Sequence, residues 1–109
     1  MKAITVSPLV KRYKLRPKTV TFCPLGDNYY LSKVEIDIEL DGKVADLLDV
    51  ENLFKKDLNG RTTSIEDLAS NICETIVKWY SPISVRVECV ADTHIEVHAV
   101  AEWHRKEVV

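Results

Sequence analysis

The chain has 109 residues, 46% of them apolar and 29% charged, with only three glycines and four prolines. That length predicts one domain, 1–109, with a modest core, and the composition excludes a disordered or fibrous chain. A net charge of −2 excludes a strongly basic protein overall, although the charge is unevenly spread. The first predicted element is a short β-branched run, Thr19–Phe22, which ends at Cys23-Pro24. Next, Val34, Ile36, Ile38 and Leu40 alternate with Glu35, Asp37 and Glu39, the period-two pattern of a strand with one apolar face. Asp41-Gly42 is a turn signal.

Two helices are expected after that turn. Between Asp46 and Leu58, the residues Leu47, Val50, Leu53, Phe54 and Leu58 fall at helical spacing, and Asn59-Gly60 closes the segment as a C-terminal cap does. A second apolar stripe comprises Ile65, Leu68, Ala69, Ile72, Ile76 and Trp79. Its start fits a capping box formed by Thr63 with Glu66 or by Ser64 with Asp67, and Ser81-Pro82 ends it.

Two strands complete the pattern. Val85, Val87 and Cys89 oppose Arg86 and Glu88, while Ile95, Val97, Ala99, Ala101 and Trp103 oppose Glu96, His98, Val100 and Glu102. Ala91-Asp92-Thr93 reads as the hairpin turn. The order is β-β-α-α-β-β, an α+β domain with a four-stranded antiparallel sheet carrying two helices on one face. The other face is densely charged. It is either wet, as in many open sheets, or it lines the polar lumen of a barrel built from several copies, which removes the exposed edges.

Candidate chemistry is sparse. Cysteines at 23, 73 and 89 are an odd number without C-x-x-C spacing, so neither a disulfide framework nor a zinc ribbon is expected. Cys73 and Cys89 fall on apolar faces and read as core. Cys23, stopped by a proline and opening onto "GDNYY", is either a presented nucleophile or a plain strand end. His94, His98 and His104 share one strand face, but their spacing fits no familiar zinc set, and no metal is expected. Tyr29 and Tyr30 stack on a base or pack at a subunit contact; the sequence leaves both open.

The basic residues are concentrated early. Lys2, Lys11, Arg12, Lys14, Arg16 and Lys18 are six of the fifteen, and no acid occurs among residues 1–18. A basic arm of about 1–18 on an acidic body suits phosphate contacts, or is a solvated terminus. No apolar run approaches the roughly 18 residues of a membrane helix, and no signal-peptide pattern opens the sequence. A cytoplasmic protein without membrane association is expected.

The element order, the Phe22-Cys23-Pro24 triplet before the second strand and "SIEDLA" at the second helix resemble the tunnelling-fold superfamily. Within it, the triplet looks most like the QueF nitrile reductases and the QueF-like archaeosine synthases. This resemblance implies a homo-oligomer of stacked rings forming a multimeric barrel. It implies Cys23 as the nucleophile on the nitrile of 7-cyano-7-deazaguanine, giving a thioimide, and Glu66 as the carboxylate holding the heterocycle. Such a carboxylate accepts paired hydrogen bonds from a guanine-like edge.

The nicotinamide-binding signature of the reductases is missing from "DLLDVENLFKK". The implied branch is therefore the amidine-forming one, with ammonia as co-substrate, no NADPH or other cofactor, and a base already carried in tRNA. Tyr30 stands where the family has a proton-donating aspartate. That leaves Asp27 as the nearest acid for proton donation and Tyr30 as a substrate-binding candidate. Ile65 stands where the family has a histidine. A tRNA substrate gives the basic arm a use, with Lys11, Arg12, Lys14, Arg16 and Lys18 as phosphate contacts. The alternatives are another purine or pterin enzyme of the same superfamily (a nitrile reductase, pterin aldolase or synthase) and a non-catalytic tRNA-binding module.

Overall fold

The computed structural model describes residues 2–26, 28–92 and 94–106. The main sheet is built from β2 (Arg12–Leu15), β3 (Lys18–Phe22), β4 (Tyr29–Glu39), β6 (Ser84–Asp92) and β7 (Glu96–His104). A two-stranded ribbon pairs β1 (Ala3–Thr5) with β5 (Lys43–Ala45). Helix α1 (Leu47–Asn52) continues into a π-helical turn, Leu53–Asp57, and α2 spans Ile65–Tyr80.

β2 and β3 both pair antiparallel with β4 in one continuous register, Leu15 opposite Ile36 and Lys18 opposite Lys33. They are one strand interrupted at Pro17, which has no N–H to give; its carbonyl still accepts from Val34 N at 2.9 Å. Proline is tolerated here because this is an edge strand. The order is thus (β2/β3)-β4-β6-β7, a four-stranded antiparallel sheet as expected. The early basic segment, read from the sequence as an arm of about 1–18, contains two paired strands, Ala3–Thr5 and Arg12–Leu15. A correction concerns the last hairpin, because β6 runs through Asp92 and β7 starts at Glu96, which leaves Ile95 outside the strand.

The core lies between the sheet and the helices. Ile36, Ile38, Val87 and Cys89 from the sheet meet Leu68, Ile72, Ile76 and Tyr80 of α2, all fully buried. The Tyr80 ring meets Tyr13 edge-on at 6.2 Å. Thr19 Oγ1 donates to the Phe54 carbonyl at 3.2 Å, which ties β3 to the turn after α1. That π-helical turn closes with Leu58 N donating to Leu53 O at 2.8 Å. Gly60 follows with φ +83, a conformation that a side chain disfavours.

Hydrogen-bond parity identifies the open part of the edge strand. Lys11 and Pro17 direct their carbonyls to β4, so Lys14, Arg16 and Lys18 direct their backbone groups outward. Further along, Val20 N reaches Asn59 Oδ1 at 3.1 Å. Gly60 N donates to Val20 O at 2.7 Å and Phe22 N to Arg61 O at 2.8 Å. Residues 59–63 therefore cover the β3 end of the edge and leave the β2 end open. At the far edge of the sheet, β7 has no neighbour beyond it among the described residues.

The cap of α2 separates two readings of its first turn. Ser64 is the N-cap, its Oγ accepting from Asp67 N at 3.1 Å. Glu66 takes no part in the cap. Ser64→Ala should cost about 1 kcal/mol, Glu66→Ala should stay within about 0.5 kcal/mol of wild type, and Ile72→Ala should cost about 2–5 kcal/mol. Urea denaturation of the three variants checks this order.

Candidate active site

The site is built where β3 ends. Phe22 forms a parallel bridge with Thr62, and Thr63 N donates to Phe22 O at 3.0 Å. The Tyr30 hydroxyl donates to the Thr63 carbonyl, also at 3.0 Å. Two backbone bonds, Phe22 N to Arg61 O and Thr63 N to Phe22 O, thus fasten the segment entering α2 to the strand end before Cys23, and Tyr30 of β4 adds a third bond to that segment. Cys23 N donates to Asn28 O at 2.9 Å and Cys23 O accepts from Gly26 N at 3.4 Å, so the residue opens a tight turn, as the proline and glycine after it imply.

A hollow of about 450 Å³ lies at this corner, with Pro24, Thr62, Thr63, Ser64 and Asp67 among its lining. That volume is in the range of small-molecule sites. Neither Cys23 nor Glu66 lines this hollow; each is the chain neighbour of a residue that does, Pro24 and Asp67. A larger hollow of about 540 Å³ lies between the edge strand and α1, with Leu15, Pro17, Val50 and Phe54 in its wall. Its wall also carries Arg16, Lys18, Glu51 and Lys55, and it contains no cysteine.

The three cysteines differ sharply. Cys73 and Cys89 are buried, whereas Cys23 is half-exposed, and all three are free thiols. Burial, then the charge of Glu74, raises the Cys73 thiol. Burial, then the charge of Glu88, pushes Cys89 up to about 12. Both stay protonated and unreactive at neutral pH. Cys23 is the accessible sulfur.

The other nominated residues are placed as follows. Glu66 is exposed in the first turn of α2. Tyr30 is half-buried, and its hydroxyl is engaged with Thr63 rather than free for a substrate. Asp27 lies outside the described residues. Among the described residues no group of histidines, cysteines and acids is arranged to hold a metal ion.

The basic residues divide into two sets. Lys14 Nζ lies 3.3 Å from Glu35 and 3.4 Å from Asp37, Arg16 Nε lies 3.3 Å from Glu35, and Arg12 reaches Glu39 at 3.9 Å. The hydrogen bonds from Lys14 and then Arg16 hold the Glu35 carboxyl below its ordinary range. These three cations each lie within ion-pair distance of an acid of β4 while remaining exposed to solvent. Lys11 and Lys18 have no ion pair among the described residues. Sequence reasoning missed this split because the partners lie in another strand and only register brings them together.

The same face carries His98 between two acids. Its Nδ1 lies 3.1 Å from Glu88 and its Nε2 2.9 Å from Glu96. Only the imidazolium donates from both nitrogens, so the hydrogen bonds to Glu88 and then Glu96 raise its pKa above 6.5. With the folded value raised, charged His98 favours the fold at low pH, and that contribution is lost as pH climbs through the folded-state value. A proton NMR titration should give a His98 midpoint above 6.5, and Glu88→Gln should lower it more than Glu96→Gln.

No protein-family model matches the chain, and no curated protein matches it significantly. Among solved structures, the chain is similar to the archaeosine synthase QueF-Like in its apo form. The match has a TM-score of 0.78 and covers 84% of this chain and 92% of that one, at 22% sequence identity. At that identity the likeness is one of fold. No helix among the described residues is long and apolar enough to cross a membrane. The chain has the α+β tunnelling fold that it shares with this synthase.

Proposed function

We propose that the chain is a cytoplasmic tRNA-modifying enzyme that converts a 7-cyano-7-deazaguanine base in tRNA to archaeosine, using ammonia and a thioimide on Cys23. One observation carries this reading. A half-exposed thiol stands at a strand end bonded to the start of α2, in a fold shared with a protein described as an archaeosine synthase.

The chemistry needs few groups. Cys23 sulfur adds to the nitrile carbon, and the nitrile nitrogen takes up a proton, with Asp27 as the donor. Ammonia then attacks the thioimide carbon. The C–S bond breaks, the thiol is regenerated, and a formamidine remains on the base. No electrons are transferred, so the reaction calls for no nicotinamide cofactor. Glu66, not used by the helix cap, holds the guanine-like edge through paired hydrogen bonds. Tyr30 acts at one remove, fixing the Thr63 carbonyl and with it the start of α2.

The open edges support assembly into rings. The β2 edge carries Arg12, Lys14 and Arg16 on the face where the β7 edge carries Glu96 and Glu102. Joining the basic edge of one copy to the acidic edge of the next pairs unmet backbone groups and opposite charges together. The charged face of the sheet then becomes the lumen.

The test is nucleoside analysis after incubating the protein with ammonia and tRNA bearing 7-cyano-7-deazaguanine. Archaeosine should form with wild type. Cys23→Ala should give none while keeping the wild-type sedimentation coefficient, and Glu66→Ala should lose about 10²-fold or more in kcat/KM. Equal yields from wild type and Cys23→Ala would sink the mechanism.

A further inference from the structure

The geometry points to the hollow beside α1 as a socket for the far edge of a second copy, with Trp103 of one copy seated against Leu15 and Leu47 of the next. This rests on the edge-to-edge joining proposed above. It adds an apolar anchor in the helix layer, on the side of the sheet away from its charged face.

Each free edge carries a hollow on the helix side. The one beside β2 and β3, of about 540 Å³, is walled by Leu15, Leu47, Val50 and Phe54 among others. The one beside β7, of about 320 Å³, is walled by Cys73 and Val77 of α2 and by Ala101 and Trp103 of β7. Leu47 is 52% exposed. A single exposed leucine is ordinary, but an apolar wall beside an open strand edge marks a contact surface.

Topology brings the two hollows together. Neighbouring strands of the sheet are antiparallel throughout, so β2/β3 and β7 run in opposite directions. β7 of one copy therefore continues the sheet antiparallel beside β2/β3 of the next, with the helices of both copies on the same side. Register sets the level. Leu15 faces Ile36, Ile36 faces Val87, and Val87 faces Ala101. Tyr13 leads in the same way through Ile38 and Val85 to Trp103. The two hollows thus stand at opposite ends of the same cross-sheet rows. Joined at or near that level, Trp103 arrives beside Leu15 at the mouth of the larger hollow.

Charge favours this pairing of unlike edges. The larger hollow carries Arg16, Lys18 and Lys55 against Glu51. The smaller carries Glu74 and Glu102 and no cation. Arg16 and Glu102 also pair within their own sheet, whereas Lys55 and Glu74 have no ion pair among the described residues. Opposite signs at the two walls favour a head-to-tail contact over two like edges meeting, and a head-to-tail contact that closes makes a ring. A tryptophan in an apolar pocket is the kind of residue that dominates such a contact.

The experiment is sedimentation velocity over a concentration series for wild type, Trp103→Ala, Leu47→Asp and Leu48→Asp, with circular dichroism as the check on folding. Leu48 is 62% exposed and lies outside the wall of the hollow, so it controls for an added charge on α1. Wild type and Leu48→Asp should form the same assembly. Trp103→Ala and Leu47→Asp should each raise the dissociation constant about thirtyfold or more. A head-to-tail socket makes a further demand. Trp103→Ala keeps a sound hollow and Leu47→Asp keeps a sound tryptophan, so an equal mixture should form a dimer that neither forms alone. Leu47→Asp, at an exposed residue, carries the test by itself if Trp103→Ala does not fold.

Assembly of wild-type size and strength in either socket variant would overturn the inference and leave the edge-to-edge joining in place. So would equal loss of assembly in Leu48→Asp, or no dimer from the mixture. A wild type that stays monomeric at every concentration would overturn the inference and the edge joining together. The chemistry at Cys23 would then still be judged separately, by nucleoside analysis.

Discussion

The parallel bridge between Phe22 and Thr62 is the contact on which the site depends. Phe22 N gives to Arg61, and Phe22 O takes from Thr63. These bonds satisfy edge-strand groups that would otherwise be open, and they bring a loop from after α1 back against a strand from before β4. Tyr30 adds its hydroxyl to the same Thr63. A cysteine at residue 23 and a helix start at residue 64 thereby share one corner. Without the bridge, the half-exposed thiol would be a strand end next to nothing. A strand edge closed by hydrogen bonds holds position better than a mobile loop does, which is what a reaction at a fixed carbon demands.

The outer face of the sheet is organised by charge in the same economical way. Near β2 the cations are answered by Glu35, Asp37 and Glu39, and near β7 His98 and Arg86 are answered by Glu88, Glu96 and Glu102. Exposed pairs like these contribute little stability one by one. Their effect is to set which parts of the face remain electrically unsatisfied. Lys18, opposite Lys33, is left without an ion pair on this face among the described residues.

Much of the fold was legible because local patterns carry it. The alternation from Val34 to Leu40 placed β4 on the correct face, and the stripe from Ile65 to Ile76 gave α2 nearly residue for residue. Cys89 could be assigned to the core by strand parity and Cys73 by its place on the apolar face of α2. The strand from Arg12 to Leu15 was not legible. Four residues with two cations and a following proline carry no strand signal, and it is pairing with β4 that makes them one. For the same reason the basic segment read as an arm. The cap of α2 had two equally good sequence solutions, and only the Ser64 Oγ to Asp67 N bond separates them. The candidate site was half legible. Cys23 and Glu66 stood out by residue type and by family resemblance, while Thr63 stood out only as a possible helix cap, and its bond to Phe22, about forty residues away in the chain, left no sequence signal.

The most direct measurement is the intact mass of the protein after incubation with free 7-cyano-7-deazaguanine, followed by peptide mapping. A thioimide at Cys23 predicts a mass gain of one base per chain, located on the peptide containing Cys23 and absent from Cys23→Ala. A protein that binds the base yet gains no mass, or gains it equally in Cys23→Ala, would contradict covalent catalysis at this site.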